Sequence, residues 1–153
     1  MRVEHLMTKD VCTCRPSTSL NEAARMLWEA DCGLVPVVDE DGSGRVVGVL
    51  TDRDVCMAAY TQGRSLCELR VDHAMAHEVV SCAPTDDLET AAGQMREARV
   101  RRLAVVDDAR QLLGVLSLSD VARHAATQGG ITALAEVGRT LAAITQPRSP
   151  SAG

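Results

Sequence analysis

The chain has 153 residues, a formal net charge of −5 at pH 7, one Trp, one Tyr and no Phe. That length suits one compact domain or two small, intimately packed halves. The scarcity of aromatic rings argues against the stacking platforms that single-stranded nucleic acids use, and the negative charge argues against a general binder of phosphate backbones.

The start, Met1-Arg-Val-Glu-His-Leu-Met7, is charged and has no apolar core of signal-peptide length. No apolar run approaches the length that spans a bilayer. A cytoplasmic protein is therefore expected. Its six cysteines, Cys12, Cys14, Cys32, Cys56, Cys67 and Cys82, are then thiols used as small apolar residues.

In chain order, residues 2–7 predict a short helical turn, and Val11-Cys-Thr-Cys14 a short strand ended by Pro16. Ser19-Leu-Asn-Glu22 is a capping-box signature. The helix it opens is predicted to run to about Ala30, with Leu20, Ala23, Ala24, Leu27 and Trp28 toward the core, and to end at Cys32-Gly33. Leu34–Val38 predicts a buried strand, Asp39–Gly44 a hairpin turn and Arg45–Leu50 the next strand. Thr51 then caps a helix through about Ala59.

The plan repeats after a connector at residues 61–70. Val79–Cys82, Leu103–Val106 and Leu112–Leu116 predict strands; Asp87–Ala98 and Leu118–Ala126 predict helices. Gly129-Gly130 breaks the last of these. Ile131–Ile144 is a further helix, whose Leu134, Val137, Leu141 and Ile144 share one face expected to be buried. Residues 147–153 are expected to be a disordered tail.

The repetition is visible residue by residue. A shift of 68 places lays Arg2-Val3-Glu4-His5-Leu6-Met7 on Arg70-Val71-Asp72-His73-Ala74-Met75, Cys14 on Cys82, and Val37-Val38-Asp39 on Val105-Val106-Asp107. After a two-residue deletion the shift is 66, and Gly48-Val49-Leu50 meets Gly114-Val115-Leu116. The chain is one unit duplicated, and the two copies are expected to pack about a pseudo-two-fold axis.

Each copy ends its last strand in a hydroxyl followed three residues later by a carboxylate: Thr51 and Asp54, then Ser117 and Asp120. The bland reading is a capping box, in which both side chains satisfy free N–H groups of the first helical turn. The functional reading uses the same geometry. A helix start after a glycine-containing strand offers N–H groups to a phosphate, and a carboxylate there accepts hydrogen bonds from the vicinal hydroxyls of a ribose. Arg53 adds a guanidinium suited to phosphate. Both readings stand on the residues alone.

A strand, helix, two strands and helix, with a Val-Val-Asp turn and Gly-Val-Leu-[Thr/Ser]-x-x-Asp at the last helix, resembles the cystathionine β-synthase (CBS) domain, here as a tandem pair over about residues 2–126. The resemblance implies an α/β (α+β) fold of two β-α-β-β-α motifs that pack through three-stranded sheets and leave two related clefts. The expected boundaries are motif 1 at 1–60, a connector at 61–70, motif 2 at 71–126 and a C-terminal helix at 127–146. The clefts of the family bind adenosine compounds: AMP, ADP, ATP, NAD or S-adenosylmethionine. By that likeness Asp54 and Asp120 hold ribose hydroxyls, and Thr51 and Ser117 contact sugar or phosphate. Adenine is expected against Cys12, Thr13 and Cys14 or Ser81, Cys82 and Ala83, and against Val35-Pro36 or Leu103-Ala104. Arg101 and Arg102 are expected to face phosphates with Arg53; their bland reading is a solvated pair after a helix.

The expectation is a regulatory module, not an enzyme, since no nucleophile–base set is visible. Its ligand is an adenosine-type small molecule and it has no other cofactor. It is expected to be a homodimer acting on an unidentified protein partner, with no nucleic-acid or membrane role. Met26, Met57 and Met95 fit core positions. One alternative is a metal- or redox-responsive dimer using Cys12, Cys14, Cys82 and nearby histidines. Another is an interaction module without a ligand.

Overall fold

A computed structural model describes residues 1–147. The expected disordered tail falls outside them from residue 148 onward. Each unit folds into a small sheet flanked by two helices. In the first unit these are α1 (Leu20–Glu29), β1 (Leu34–Val38), β2 (Val46–Thr51) and α2 (Asp52–Gln62). The second unit has β3 (Ser81–Cys82), α3 (Leu88–Ala98), β4 (Arg102–Val106), β5 (Leu112–Ser117) and α4 (Leu118–His124). A wider helical turn, Ala125–Gly129, leads into α5 (Gly130–Ile144).

The local signals explain most of these elements. Ser19 accepts a hydrogen bond from the Glu22 N–H at the start of α1, as Asp87 does from Thr90 at the start of α3. β1 pairs antiparallel with β2, and β4 with β5; both hairpins carry an irregularity at the same repeat position, Val37/Val38 and Val105/Val106. Both sheets therefore inherit one register from the duplication. β3 runs parallel to β4. Its counterpart in the first unit, expected over 11–14, shrinks to a single bridge between Cys14 and Val37.

The units are laced together by exchange of their lead-in segments. Val3 packs in the second unit's core with Leu103 and Leu116, while Val71 packs in the first unit's core with Leu20 and Leu50. Thr8 exchanges both backbone hydrogen bonds with Val115 at 2.9 Å, and Ala76 does the same with Val49 at 2.9 and 3.0 Å. These crossings account for Gly48 and Gly114. A Cβ at Gly114 would lie 2.5 Å from the Thr8 carbonyl oxygen, and one at Gly48 would lie 2.9 Å from that of Ala76. Val46, Ala104 and Val106 form a small core of their own.

Several side chains depart from expectation. Trp28 is 85% exposed. It follows Leu27 by one residue, a rotation of about 100° off the stripe of Leu20, Ala23 and Leu27. Met57 is likewise exposed, whereas Met95 is fully buried. α1 ends at Asp31 in a left-handed conformation (φ 47°), before Cys32-Gly33. On α5, Leu134 and Leu141 are exposed and Thr140 is completely buried. Its hydroxyl donates to the Glu136 carbonyl (2.9 Å) and accepts from Arg96 of α3 (3.0 Å), so its burial leaves no orphaned group. Arg96 pairs with Glu136, which pins α5 to α3, and Arg139 pairs with the same carboxylate within α5.

Candidate functional site

Two clefts lie where the helix starts of one unit face the other unit. The first, about 470 Å³, holds Thr51, Arg53 and Asp54 from the first unit, with Val80, Arg99, Arg101, Arg102 and Ala104 from the second. The second, about 340 Å³, holds Ser117, Asp120 and Arg123 from the second unit, with Val11, Cys12, Asp31 and Cys32 from the first. Each cleft is thus composite, and neither unit builds one alone.

The hydroxyl–carboxylate pairs are capping boxes in both copies. The Asp54 N–H donates to Thr51 Oγ1 (3.3 Å), while Asp54 Oδ2 accepts from the Thr51 N–H and hydroxyl, both at 2.9 Å. All its contacts fall on one oxygen. Among the described residues, Oδ1 of Asp54 has no partner and stays available. Asp120 repeats the cap, accepting from the Ser117 N–H (3.0 Å) and hydroxyl. Its other oxygen, Oδ1, is already paired with Arg123. The bland and functional readings are therefore compatible at Asp54, where capping uses half the carboxylate. At Asp120 both halves are engaged.

The repeat puts opposite charges at matched positions. α1 and α3 each end on a left-handed residue, Asp31 (φ 47°) and Arg99 (φ 53°). The shift of 68 places relates them, yet Asp31 faces the second cleft and Arg99 the first. The first cleft gathers four arginines against the carboxylates Asp52, Asp54 and Glu78. The second gathers Arg102 and Arg123 against Asp10, Asp31 and Asp120. Arg102 lines both, its guanidinium lying where Gly33 has no side chain: a Cβ there would be 2.8 Å from Nη2. Among the described residues Arg53, Arg99, Arg101 and Arg102 make no ion pair. Arg15, Arg64 and Arg110 make none either, whereas Arg2, Arg25, Arg45, Arg70, Arg96, Arg123 and Arg139 do.

Of the residues expected at the site, Thr51, Arg53, Asp54, Arg101, Arg102 and Ala104 come together in the first cleft. Ser117, Asp120 and Cys12 meet Arg102 in the second. Thr13, Pro36, Ser81 and Ala83 do not line either cleft. Cys14, Val35, Cys82 and Leu103 send their side chains into the two cores. The shortened edge strands account for this: the cleft walls are Val11–Cys12 and Val80, just ahead of the segments that turn inward. Arg99, Asp31 and Arg123 were not anticipated. The first two carry a signal in the repeat, because both sit at the helix end where a left-handed residue is needed.

The thiols on which a metal or redox reading rests are not gathered. Cys14 and Cys82 are buried in separate cores, and burial pushes both thiols up to about 12, with Glu22 and Asp86 adding smaller repulsions. All six cysteines are free, and Cys12 is exposed. Among the described residues no group of three His, Cys, Asp or Glu side chains could hold a metal. No helix among them is long and apolar enough to cross a membrane.

Comparison with known proteins agrees with this architecture. The CBS domain family model matches residues 3–60 and 71–127. The CBS domain-containing protein YhcV of Bacillus subtilis is 36% identical over 120 residues, covering 78% of this chain and 82% of YhcV. Longer curated relatives, such as the homoserine O-acetyltransferases of Methanohalobium evestigatum and Methanococcoides burtonii, match over only 23% of their length. Among solved structures, CBSX2 in complex with AMP superposes with a TM-score of 0.71 at 29% identity, covering 82% of this chain and 96% of that one. The CBS domain pair of protein MJ0100, in complex with 5-methylthioadenosine and S-adenosyl-L-methionine, gives a TM-score of 0.71 at 25% identity, covering 80% and 94%. With two matched segments, two capping boxes at equivalent positions and the exchanged lead-in turns, this chain belongs to the CBS domain family as a tandem pair.

Proposed function

We propose that the protein is a regulatory module that binds an adenosine-containing ligand bearing phosphate in its first cleft. The observation that carries this reading is the free oxygen of Asp54 in a cleft lined by four arginines that make no ion pair among the described residues. A carboxylate oxygen without a partner accepts from vicinal ribose hydroxyls. Guanidinium groups with no ion-pair partner are suited to phosphate. Thr51 orients Asp54 through its cap, which uses the hydroxyl proton and one lone pair and leaves the other lone pair to accept from a ligand hydroxyl. The relatives crystallised with AMP and with S-adenosyl-L-methionine support an adenosine compound as the class. The arginines favour the phosphorylated members of that class over a sulfonium compound.

The output is conformational and not catalytic. Each cleft is built by both units, so a ligand bridging Asp54 of one to Arg101 and Arg102 of the other favours one packing of the pair. The shift is limited by how differently the ligand binds the two packings. A partner protein, or a second copy of the chain, reads that packing.

Calorimetric titration with AMP, ATP, NAD and S-adenosylmethionine tests the reading. Saturable binding of at least one phosphorylated ligand is expected, weakening as salt rises. No binding by any of the four to folded protein would refute it and leave an interaction module without a ligand.

A further inference from the structure

Among the described residues six large apolar side chains on helices are exposed, and they fall on two surfaces. The first surface is the outer side of α1 and α2. These helices bury Leu20, Ala23 and Leu27, and Val55 and Ala58, in one core. Outside stand Trp28 on α1 and Met57 and Tyr60 on α2, so the chain's only two aromatic residues are both in solvent. The second surface is on α5. Its inner side packs Val137 and Ile144 against the second unit's core, while Ile131, Leu134 and Leu141 remain exposed.

The duplication shows how these surfaces are related. A shift of 68 lays Trp28 on Arg96, and a shift of 66 lays Tyr60 on Ala126. In the second unit this layer is covered: α5 lies on α3 and α4, and Arg96 holds it through Glu136 and Thr140. In the first unit the matching position is a bare tryptophan. α5 in turn is covered on one side only. At 100° per residue, Ile131, Leu134, Gly138 and Leu141 fall within about 80° of one another. A Cβ at Gly138 would meet nothing within 4 Å, which leaves room for a bulky ring at the middle of the stripe. Glu136 and Arg139 are the only charged residues of α5, and they pair with each other. A helix apolar on both sides is one that both sides bury.

We propose that the outer stripe of α5 covers the α1–α2 layer of a second copy, and the reverse, in a two-fold dimer. The stripe carries no charge, so closing the contact strands none away from water. Two aromatic side chains bury about 150–250 Å² each. With the four aliphatic ones they approach the roughly 800 Å² that a stable interface takes from each partner. A lipid surface fits less well, because the stripe has no lysine and the chain is acidic overall. Pairing each surface with itself would need two separate two-fold contacts and would propagate, whereas pairing one with the other can close. α5 lies beyond the segments matched by the CBS family, so the contact comes with this chain's own C-terminal helix.

The single tryptophan reports the contact. Light scattering and Trp28 emission are followed over a dilution series of the full chain, and again on Leu134→Lys and Leu141→Lys. A dimer with blue-shifted, quencher-protected emission is expected, giving way to a monomer with solvent-exposed emission on dilution. Both α5 variants are expected to weaken the dimer at least about thirtyfold and to expose Trp28 at concentrations where the unaltered chain protects it. Trp28→Arg, which installs the residue of the matched position, is expected to weaken the dimer equally by mass. A dimer whose Trp28 stays protected in both α5 variants would overturn the proposal and show the α1–α2 layers meeting each other. A chain that is monomeric with exposed Trp28 at every concentration would also overturn it and leave both surfaces to a different protein.

Discussion

The two clefts are built from one duplicated plan, and they differ in the sign of their charge. Thr51 and Ser117 cap their helices alike, and Asp54 and Asp120 close the same boxes. What separates the clefts lies at the helix ends facing them, where Arg99 stands in one and Asp31 in the other. Asp54 also keeps a free oxygen, whereas Arg123 occupies that of Asp120. Duplication has preserved the scaffold, where packing and caps allow little change. It has let the ligand-facing positions diverge, where exposed side chains can change sign at little cost in stability.

The scaffold side of this comparison breaks most severely at the crossings between units. Gly114→Ala sets a Cβ 2.5 Å from a backbone oxygen, and Gly48→Ala sets one 2.9 Å from another and beside the Met75 sulfur, which can swing away. Gly114→Ala is expected to cost about 2–3 kcal/mol and Gly48→Ala about 1–2 kcal/mol. Urea unfolding of the two variants checks the order. Equal losses would mean that the two crossings are equally tight.

The matched buried thiols give a smaller effect that depends on pH. Cys14 and Cys82 are raised from 9.0 to about 12 by burial. Between those values the unfolded chain has lost protons that the folded chain keeps, so stability falls as pH rises through that window and is fully present below it. Cys14→Ala and Cys82→Ala are each expected to flatten part of this dependence. Unfolding midpoints measured from pH 8 to pH 11 test this, and an unchanged slope in both variants would assign it to other groups.

The smallest expected change sharpens the contrast between the sites. Arg123→Gln frees Asp120 Oδ1. Because the arginine is 74% exposed, its pairing with Asp120 is worth no more than about 1 kcal/mol. The variant is expected to gain up to about fivefold in affinity for adenosine, which carries no phosphate to miss the arginine. A loss of affinity would show that Arg123 assists a ligand and does not compete with one.

Much of this was legible in the chain because it is local. The capping boxes follow from Thr51-x-x-Asp54 and Ser117-x-x-Asp120, and the duplication from ordered identities at fixed shifts. The hairpins follow from turn residues between apolar runs. What was not legible depends on contacts distant in sequence. That Val3 belongs to the second unit's core and Val71 to the first cannot be read from either segment. Thr140 reads as polar, and only Arg96, 44 residues away, explains its burial. The exchange of lead-in segments also decides which residues wall each cleft. That is why Cys12 met Asp120 and Val80 met Asp54, while Cys14 and Cys82 turned into the cores.

The central claim is that one cleft takes the nucleotide, and binding stoichiometry tests it most directly. Calorimetry with the tightest-binding phosphorylated adenosine ligand, on the unaltered chain, Asp54→Asn and Asp120→Asn, separates the clefts. Asn keeps an acceptor for each helix cap. One site per chain is expected, weakened at least about thirtyfold by Asp54→Asn, through loss of a charged acceptor for two hydroxyls, and nearly unchanged by Asp120→Asn. Loss of binding in Asp120→Asn with Asp54→Asn unaffected would contradict the account, because it would place the nucleotide in the acidic cleft.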